Sequence, residues 1–483
     1  MIPIEILDYM LDFMYLKNQI SFISCCKYTY HNLFIKKISG RYLIQKVTQE
    51  VIKQEKFSNL RKLYANEHIT DISFLKKLEV LDTGRNSGIS QASINSINLV
   101  KLYAGSDRKI TNVSHMSKLK VLYACGNICR IDQSSIDVLN LVKLDASNNK
   151  KITNVSHMSN LKELHATYSC GIGQAGIMNL NLSTLYAAGN SNIISVSHMT
   201  NLKKLNIAFS CGVTQKSINN LDLIELNASN NKMVTNVKHM TNLLVLHAKG
   251  RSGIDQNGIE GLDLYKLDVF DNSKIADVSF MKKLKILNAG GKCAINQNSI
   301  VGLDLYKLDA YDNPHIIDVS FMKNLKILYA CGKSAIDQQG IMGLRLRSLY
   351  LRNNANITDL SFMKSLRKLY AQDNSGISQH GIRDLNLTEL DISGNSKITD
   401  VSFMNSLRIL SAGHDCGLSQ NGICGLNLRE LYISDNPKIT DISFMNKLRF
   451  LLIERNCMID RDNIKNLNLS ILSTNRNPHF TNI

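Results

Sequence analysis

The sequence predicts an α/β solenoid in which about twenty coils of 20 or 21 residues stack into one parallel, concave sheet, preceded by a small all-α module. Three observations predict this fold. Leucines recur every 41 residues along most of the 483-residue chain, each leucine opens a strand-like pattern, and asparagine marks the turn that follows. We therefore divide the chain into a helical module at residues 1–40, a linking or capping helix at 41–59, and the solenoid at 60–483.

The 41-residue period contains two alternating units. The first unit opens at Leu141, Leu182, Leu223, Leu264, Leu305, Leu346, Leu387, Leu428 and Leu469. The second unit opens at Leu161, Leu202, Leu243, Leu284, Leu325, Leu366, Leu407 and Leu448. Both units begin LxxLxA, an alternation that predicts a strand of about five residues with its leucines inward. Because so short a strand cannot bury its inward face alone, we expect neighbouring coils to pair about 4.8 Å apart.

The ninth position of the first unit is an asparagine in successive periods: Asn149, Asn190, Asn231, Asn272, Asn313, Asn354, Asn395, Asn436 and Asn477. A buried turn needs partners for its backbone donors and acceptors, and an asparagine amide can supply both. In the second unit the ninth position varies, from Ser169 to Arg251 and Lys292, which predicts looser turns in alternate coils. The stretch after each turn has room for a single helical turn or a 3₁₀ piece.

The LxxLxLxxN pattern of residues 60–483 resembles the leucine-rich repeat. That resemblance implies an arc with a parallel concave sheet and an asparagine ladder. The nearly uniform period is also similar to leucine-rich-repeat proteins that large DNA viruses of amoebae encode.

The strand positions that face the concave side carry tyrosine, lysine, arginine and aspartate. We assign partner binding to Tyr103, Tyr123, Lys162, Tyr186, Lys203, Asp268, Lys285, Asp309, Lys326, Tyr329, Tyr350, Arg367, Tyr370, Arg408 and Tyr432. One interpretation is that these side chains only keep an exposed sheet soluble, with acid and base compensating each other. We favour binding, because tyrosine and arginine are enriched in protein interfaces. The aspartates would repel phosphates, so a protein is the expected partner and nucleic acid is not.

The N-terminal segment has two interpretations. Its apolar residues recur at helical spacing, which is typical of the cap that a solenoid needs. The stretches I2-P3-x-E5-I6-L7 and S21-F22-I23-S24-C25-C26-K27 also resemble an F-box, with Ile2 in the place of the usual leucine. The resemblance implies that Ile2, Pro3, Ile6, Leu7, Cys26 and Lys27 contact a Skp1-like adaptor. The chain would then be the substrate-recognition subunit of a Skp1–cullin–F-box ubiquitin ligase; the alternative is a plain protein-binding scaffold.

Composition excludes other classes of function. The net charge of +17 is spread thinly, without a block of like charges, which indicates a solvated surface. No run of eighteen apolar residues could span a bilayer, and the acidic start is unlike a secretory signal, so we expect a cytoplasmic protein, in the host cytoplasm if it is viral. The eleven cysteines lack a CxxC pair and indicate reduced thiols.

No catalytic motif stands outside the repeat. The sequence has no P-loop, no GxSxG and no HExxH, so we expect a non-catalytic protein without a cofactor. Four histidines, His115, His157, His198 and His239, share a VSHM context, but phenylalanine takes their place further along the chain. A position that accepts His or Phe is a packing position with a polar edge, so we expect no metal there.

Overall fold

The computed structural model describes residues 10–11, 14, 16–25, 34–38, 47–84 and 87–480. The chain divides into two compact units, Met1–Asn242 and Leu243–Ile483, here called the N-unit and the C-unit. Each of them is a solenoid of parallel strands with little helix, which confirms the predicted fold class. The predicted adaptor residues Ile2, Pro3, Ile6, Leu7, Cys26 and Lys27 lie outside the described residues.

The N-unit strands are β1 Lys37–Ile38, β2 Lys62–Tyr64, β3 Val80–Asp82, β4 Lys101–Tyr103, β5 Val121–Tyr123, β6 Lys143–Asp145, β7 Glu163–His165, β8 Thr184–Tyr186, β9 Lys204–Asn206 and β10 Glu225–Asn227. Each strand pairs in parallel with the next in the chain. The register places leucine beside leucine, as with Leu102 and Leu122. These leucines are fully buried, so the core lies directly under the sheet.

The C-unit strands are β11 Val245–His247, β12 Lys266–Asp268, β13 Ile286–Asn288, β14 Lys307–Asp309, β15 Ile327–Tyr329, β16 Ser348–Tyr350, β17 Lys368–Tyr370, β18 Glu389–Asp391, β19 Ile409–Ser411, β20 Glu430–Tyr432, β21 Phe450–Leu452 and β22 Ile471–Ser473. They pair in parallel in chain order with the same register. Because every strand is three residues long, the side chains on either side of the central leucine share one exposed face.

Helices are short, as the sequence predicts. The α-helices are α1 Leu16–Ile23, α2 Gln49–Ile52, α3 Gln91–Ile94, α4 Gln215–Ile218, α5 Gln256–Ile259, α6 Gln297–Ile300, α7 Gln379–Ile382 and α8 Arg461–Ile464. The 3₁₀ helices are Glu55–Phe57, Ala175–Ile177, Gln339–Ile341, Asn421–Ile423 and Pro478–Phe480. The strand β1 falls at the end of residues 1–40, where the sequence predicts a helical module. It pairs with β2 and covers the edge of the sheet there, which satisfies backbone groups that a helix would leave open.

The first-unit asparagines form a buried column along each unit of the chain. Asn149 shows the pattern: its Nδ2 donates to the carbonyl oxygens of Ala124 at 2.8 Å and Ile131 at 3.0 Å, and its Oδ1 accepts from the Lys151 amide at 2.9 Å. One side chain therefore joins three backbone groups of two coils. Each such bond contributes roughly 0.5–1.5 kcal/mol.

The expectation of looser turns in the alternate coils rested on the wrong residue of the turn. The second unit is one residue longer, so its ladder position is the tenth and not the ninth. That position holds Cys170, Cys211, Ser252, Cys293, Ser334, Ser375, Cys416 and Cys457, all of them buried, and the buried Cys129 follows its opening Leu119 by one residue more. Small thiols and hydroxyls fill the space between asparagines, and burial raises the pKa of the Cys211 thiol to about 11.

A glutamine column, which sequence analysis missed, ties each second-unit coil to the coil after it. Its members are Gln49, Gln91, Gln133, Gln174, Gln215, Gln256, Gln297, Gln338, Gln379 and Gln420. The Gln256 Oε1 accepts from the amides of Ala276 at 2.9 Å and Asp277 at 2.8 Å, and its Nε2 donates to the Asp277 carbonyl at 2.9 Å. The recurrence of glutamine about every 41 residues was the signal in the sequence that could have predicted this column.

The four histidines occupy a fixed place beside the preceding coil. Nε2 lies 3.1 Å from the Ile94 carbonyl oxygen in His115 and 3.3 Å from the Ile136 carbonyl oxygen in His157. The same contact recurs in His198 and His239. Each imidazole therefore donates to a backbone acceptor, which is the polar edge of a packing position.

Candidate functional site

The exposed side chains of the strands form the candidate site, here called the strand face of each unit. The residues before and after the buried central leucine both point to this face, because side chains alternate along a strand. They come from the third and fifth positions of each coil. Since consecutive coils are in register, fifth-position residues of neighbouring coils lie side by side.

Three tyrosines of the C-unit stack into one column. The ring centroids of Tyr329 and Tyr350 are 3.9 Å apart, those of Tyr350 and Tyr370 are 4.3 Å apart, and both ring pairs are within 7° of parallel. Lys307 Nζ lies 4.7 Å from the Tyr329 ring centroid at one end. At the other end the Tyr370 hydroxyl donates to the Glu389 carboxylate. The tyrosine column is thus held by stacking and by polar contacts at both ends.

The surroundings of Tyr350 and Tyr370 disfavour ionisation of their phenols. Burial, together with the neighbouring Tyr329, raises the pKa of Tyr350 to about 12. The pKa of Tyr370 is also raised, by burial and by its hydrogen bond to Glu389. Burial of Glu389 favours its neutral form, but hydrogen bonds from Lys368, 2.6 Å away, and from Tyr370 outweigh this and lower its pKa. The column therefore presents aromatic edges and hydroxyls beside one ion pair.

Two aspartates lie nearer the start of the C-unit, and their environments differ. The Asp268 side chain is 8% exposed and accepts from His247 Nδ1 at 3.2 Å and Lys249 Nζ at 2.9 Å. Burial works against the charge of Asp268, but these two bonds outweigh it and its pKa is lowered. Burial raises the pKa of Asp309. Asp268 is thus a buried member of a charge cluster, whereas Asp309 is a partly desolvated carboxyl.

The N-unit carries its own aromatic pairs. The Tyr103 and Tyr123 rings stack with centroids 4.4 Å apart, and Lys101 Nζ lies 4.8 Å from the Tyr103 centroid. His165 and Tyr186 form a second pair, also 4.4 Å between centroids. Both pairs belong to the fifth position, so they repeat the arrangement of the C-unit within another set of coils.

The basic residues of the predicted partner-binding set come from the second position of their coils, whereas the tyrosines come from the fifth. Lys203, Lys285 and Lys326 each extend Nζ to the backbone carbonyl of the last residue of their own coil, just before the next coil opens. Nη1 of Arg367 and of Arg408 donates to carbonyls in the loop before its own strand, at 2.8–3.0 Å. These side chains, with the exposed Lys162, lie at the edge where strands begin. Tyr432 contacts Phe450, with ring centroids 5.0 Å apart.

Sequence analysis missed the third-position residues. Lys101, Lys307, Lys368 and Glu389 share the strand face with the tyrosines and contact them or their partners. The signal was available, because the third and fifth positions of a strand point to the same side. The prediction of partner binding relied instead on the second position, where basic residues recur more regularly.

The described residues contain no cluster of three or more His, Cys, Asp or Glu side chains placed to hold a metal ion. Within the same residues no helix has the length and apolar character to cross a membrane. Hydrogen bonding, stacking and ion pairing are the chemistry that the strand face offers.

No protein-family model matches the chain, and no curated protein matches it. Among solved structures, the chain is similar to the functional domain of InlJ from Listeria monocytogenes, which includes a cysteine ladder. The two sequences are 20% identical, the match covers 74% of this chain and 69% of that chain, and the TM-score is 0.34. It is also similar to a chain of the yeast Rad7–Elc1 complex, at 16% identity over 63% and 85% of the two chains, TM-score 0.37.

A further similar structure is the leucine-rich-repeat ectodomain of the receptor kinase GASSHO1/SCHENGEN3 from Arabidopsis thaliana, in complex with CASPARIAN STRIP INTEGRITY FACTOR 2. Identity is 13%, coverage 87% and 71%, and the TM-score 0.33. At these scores the likenesses carry no conclusion about function. The repeat pattern and the coil geometry define the class of fold, a leucine-rich-repeat solenoid.

Proposed function

We propose that this chain is a non-enzymatic binding protein that holds a protein partner on its strand face, centred on Tyr329, Tyr350 and Tyr370. The stacked column is the observation that supports the proposal. Tyrosine presents a large contact area with a polar end, and rings already fixed by stacking lose little conformational freedom on binding. A preorganised surface of this kind gives affinity at low entropic cost.

The charges favour a protein over a nucleic acid. Nucleic-acid binding depends mainly on basic groups that neutralise phosphates. On the strand face of the C-unit, Lys249 pairs with Asp268, and Lys368 pairs with Glu389. Cations already neutralised in this way, with Asp309 nearby, suit the mixed polar surface of a protein better than a phosphate backbone.

Substitution within the column tests this proposal. The full-length protein with Tyr329, Tyr350 and Tyr370 all changed to serine should lose the partners that the wild-type protein retains in quantitative affinity purification. Tyr306 and Tyr265 are exposed tyrosines outside the fifth position and supply the control when changed to serine. Equal retention of partners by all three proteins would contradict the proposal.

The finer part of the proposal is that the chain is a substrate receptor of a Skp1–cullin–F-box ubiquitin ligase. The F-box-like stretches at Ile2–Leu7 and Ser21–Lys27 support it. The mechanism would be positional: the strand face holds a substrate while the N-terminal segment recruits a ligase, which raises the effective concentration of substrate near the ubiquitin donor. The competing function is a protein-binding scaffold without a role in ubiquitin transfer.

Changes in the N-terminal segment separate the two functions. As a ligase receptor, the protein should co-purify with a Skp1-like adaptor, and changing Pro3 and Leu7 to aspartate should abolish this while substrate capture through the strand face persists. As a scaffold, it should keep the same partners with or without residues 1–57. Absence of the adaptor from wild-type complexes would refute the receptor function and leave strand-face binding standing.

A further inference from the structure

A belt without charge interrupts the N-unit. Residues 164–202, here called the uncharged belt, contain no Asp, Glu, Lys or Arg, although charged residues make up 20% of the chain. The belt runs from the end of β7 to the start of β9. Depletion of charge together with exposed aromatic and Met side chains is the composition of a protein-interface core.

Apolar side chains replace polar ones at exposed positions of this belt. Ile194 is 55% exposed, and the residues 41 positions before and after it are Thr153 and Thr235. Met178 is 59% exposed, and its equivalents are Asp137 and Asn219. The repeat therefore tolerates polar residues at both places, so packing alone does not explain the apolar side chains.

Two exposed aromatic residues next to the strands are held in a strained backbone conformation. Tyr168 has φ 56° and Phe209 has φ 62°, the left-handed region that disfavours side chains with a Cβ. Glycine occupies the equivalent place in later coils, as at Gly250 and Gly291. Both aromatic side chains are about half exposed, so the burial of their apolar surface offsets only part of the backbone strain. The turn imposes this conformation in other coils too, where Gly, Asp, His or Arg adopts it, so the fold does not require an aromatic residue at either place. A bulky side chain kept at a strained turn points to a role in binding.

Glycine between the two aromatic residues shapes this surface. The Tyr168 ring lies over Gly189, where an added Cβ would come within 2.8 Å of Tyr168 Cδ1. The ring reaches towards Phe209 in the next coil but one, with centroids 6.3 Å apart. Beside the pair is an open groove of about 480 Å³, with Tyr168 as a wall, Ser169, Ser191 and Asn192 as polar lining, and Lys150 as its charged group.

We infer that this groove and the Tyr168–Phe209 pair form a docking site for a peptide segment of a partner protein that carries a bulky apolar side chain next to an acidic one. The apolar side chain packs on the aromatic pair, and the carboxylate meets Lys150. The belt itself supplies no acid, and the flanking Glu163 already pairs with Lys143. Lys204 pairs with Glu225, whereas Lys151, Lys162 and Lys203 add positive charge around the belt. This site lies at the turns that follow the strands of the N-unit and shares no residue with the tyrosine column of the C-unit.

Charge complementarity favours such a partner over a second copy of the chain. A two-fold dimer would place the belt against itself and bring the flanking lysines of both copies together. Like charges would then face each other across the interface, and Lys150 would gain no partner. A segment with a carboxylate satisfies the same surface without this repulsion.

A peptide selection tests the inference. Immobilised full-length protein is panned with a phage-displayed library of random twelve-residue peptides, and the enriched peptides are synthesised and their Kd values measured by fluorescence polarisation. We expect sequences with Asp or Glu beside Phe, Leu, Met or Trp. The double variant Tyr168→Gly/Phe209→Gly should raise Kd at least about tenfold, as for loss of interface hot spots. Lys150→Glu should weaken the same peptides.

The controls separate binding from folding. Glycine suits the left-handed turn, so the double variant should unfold at a temperature no lower than wild type. His414→Gly, at the same register of the C-unit with φ 53°, should leave Kd unchanged. Peptides that bind wild type and the double variant equally, or an enriched set without acidic residues, would overturn the inference. A wild-type dimer in sedimentation analysis that the double variant abolishes would assign the groove to a second copy and overturn it as well.

Discussion

Asp107 occupies a position of the asparagine column, but its carboxylate cannot donate the hydrogen bonds that an asparagine Nδ2 donates there. Its Oδ1 accepts from the Lys109 amide at 2.7 Å, which is the bond that the Asn149 Oδ1 makes with Lys151. Its Oδ2 has no hydrogen-bond partner within the described residues, although the residue is only 4% exposed. By register this oxygen takes the place of an Nδ2 donor. An acceptor therefore sits where two carbonyl oxygens need a donor.

Changing Asp107 to asparagine should repair the column. The variant removes a buried unsatisfied acceptor, which costs about 1–3 kcal/mol, and restores donation to backbone carbonyls. We expect the free energy of unfolding to rise by roughly 1–3 kcal/mol near neutral pH. For a cooperative unit of this size the midpoint of thermal unfolding should rise by about 2–4 °C for each kcal/mol.

Calorimetry and hydrogen exchange provide the assay. The variant should unfold at a higher temperature, and amides of the coils around Asp107 should exchange more slowly, because opening of a repeat protein is local. Asn149→Asp is the matched reverse substitution and should lower stability by a similar amount. Equal or lower stability of Asp107→Asn would refute the reasoning that the column works through donated hydrogen bonds.

Four further predictions concern the strand face and the buried Cys and Ser positions of the second unit. Asp268→Asn should lower stability by about 1–3 kcal/mol, and this loss, present near neutral pH, should fade as the pH falls through the lowered pKa of Asp268. Asp309→Asn should raise stability at neutral pH, because ionisation of Asp309 opposes folding above its raised pKa. This gain should fade in acid. Denaturant titration against pH checks both signs. Tyr350→Phe should remove one of the phenols with a raised pKa, seen as a smaller late phase in the ultraviolet difference titration, in which Tyr370 remains. Ser334→Cys should stabilise by up to about 1 kcal/mol in thermal unfolding, since the buried Ser334 hydroxyl has no hydrogen-bond partner in the described residues.

The repeat made most of the fold predictable. A 41-residue period fixes the register of leucine and asparagine, and one strand per coil follows because the alternation allows no other short element. The second-unit turn was mispredicted because a one-residue insertion moves the ladder position to Cys170 and its equivalents. A count from the opening leucine cannot show which residue faces inward after an insertion, since that depends on the backbone φ at the turn.

The candidate site was predictable in part. The fifth-position tyrosines were found, because alternation alone exposes them. Their stacking was not, since ring geometry depends on the distance between coils and on Lys307 and Glu389 at the ends of the column. The hydrogen bonds of the second-position arginines were not predictable for a related reason: Arg367 and Arg408 reach back to loop carbonyls, and sequence spacing gives no information on where a long side chain turns.

Site-specific photocrosslinking tests the strand face most directly. A photoreactive phenylalanine analogue at Tyr350, and separately at Phe321, an exposed residue outside the strands, is introduced into the full-length protein in cells, and crosslinked proteins are identified by mass spectrometry. We predict a discrete protein crosslink at position 350 that position 321 does not give. The same proteins at both positions, or a crosslink at position 321 alone, would contradict the account.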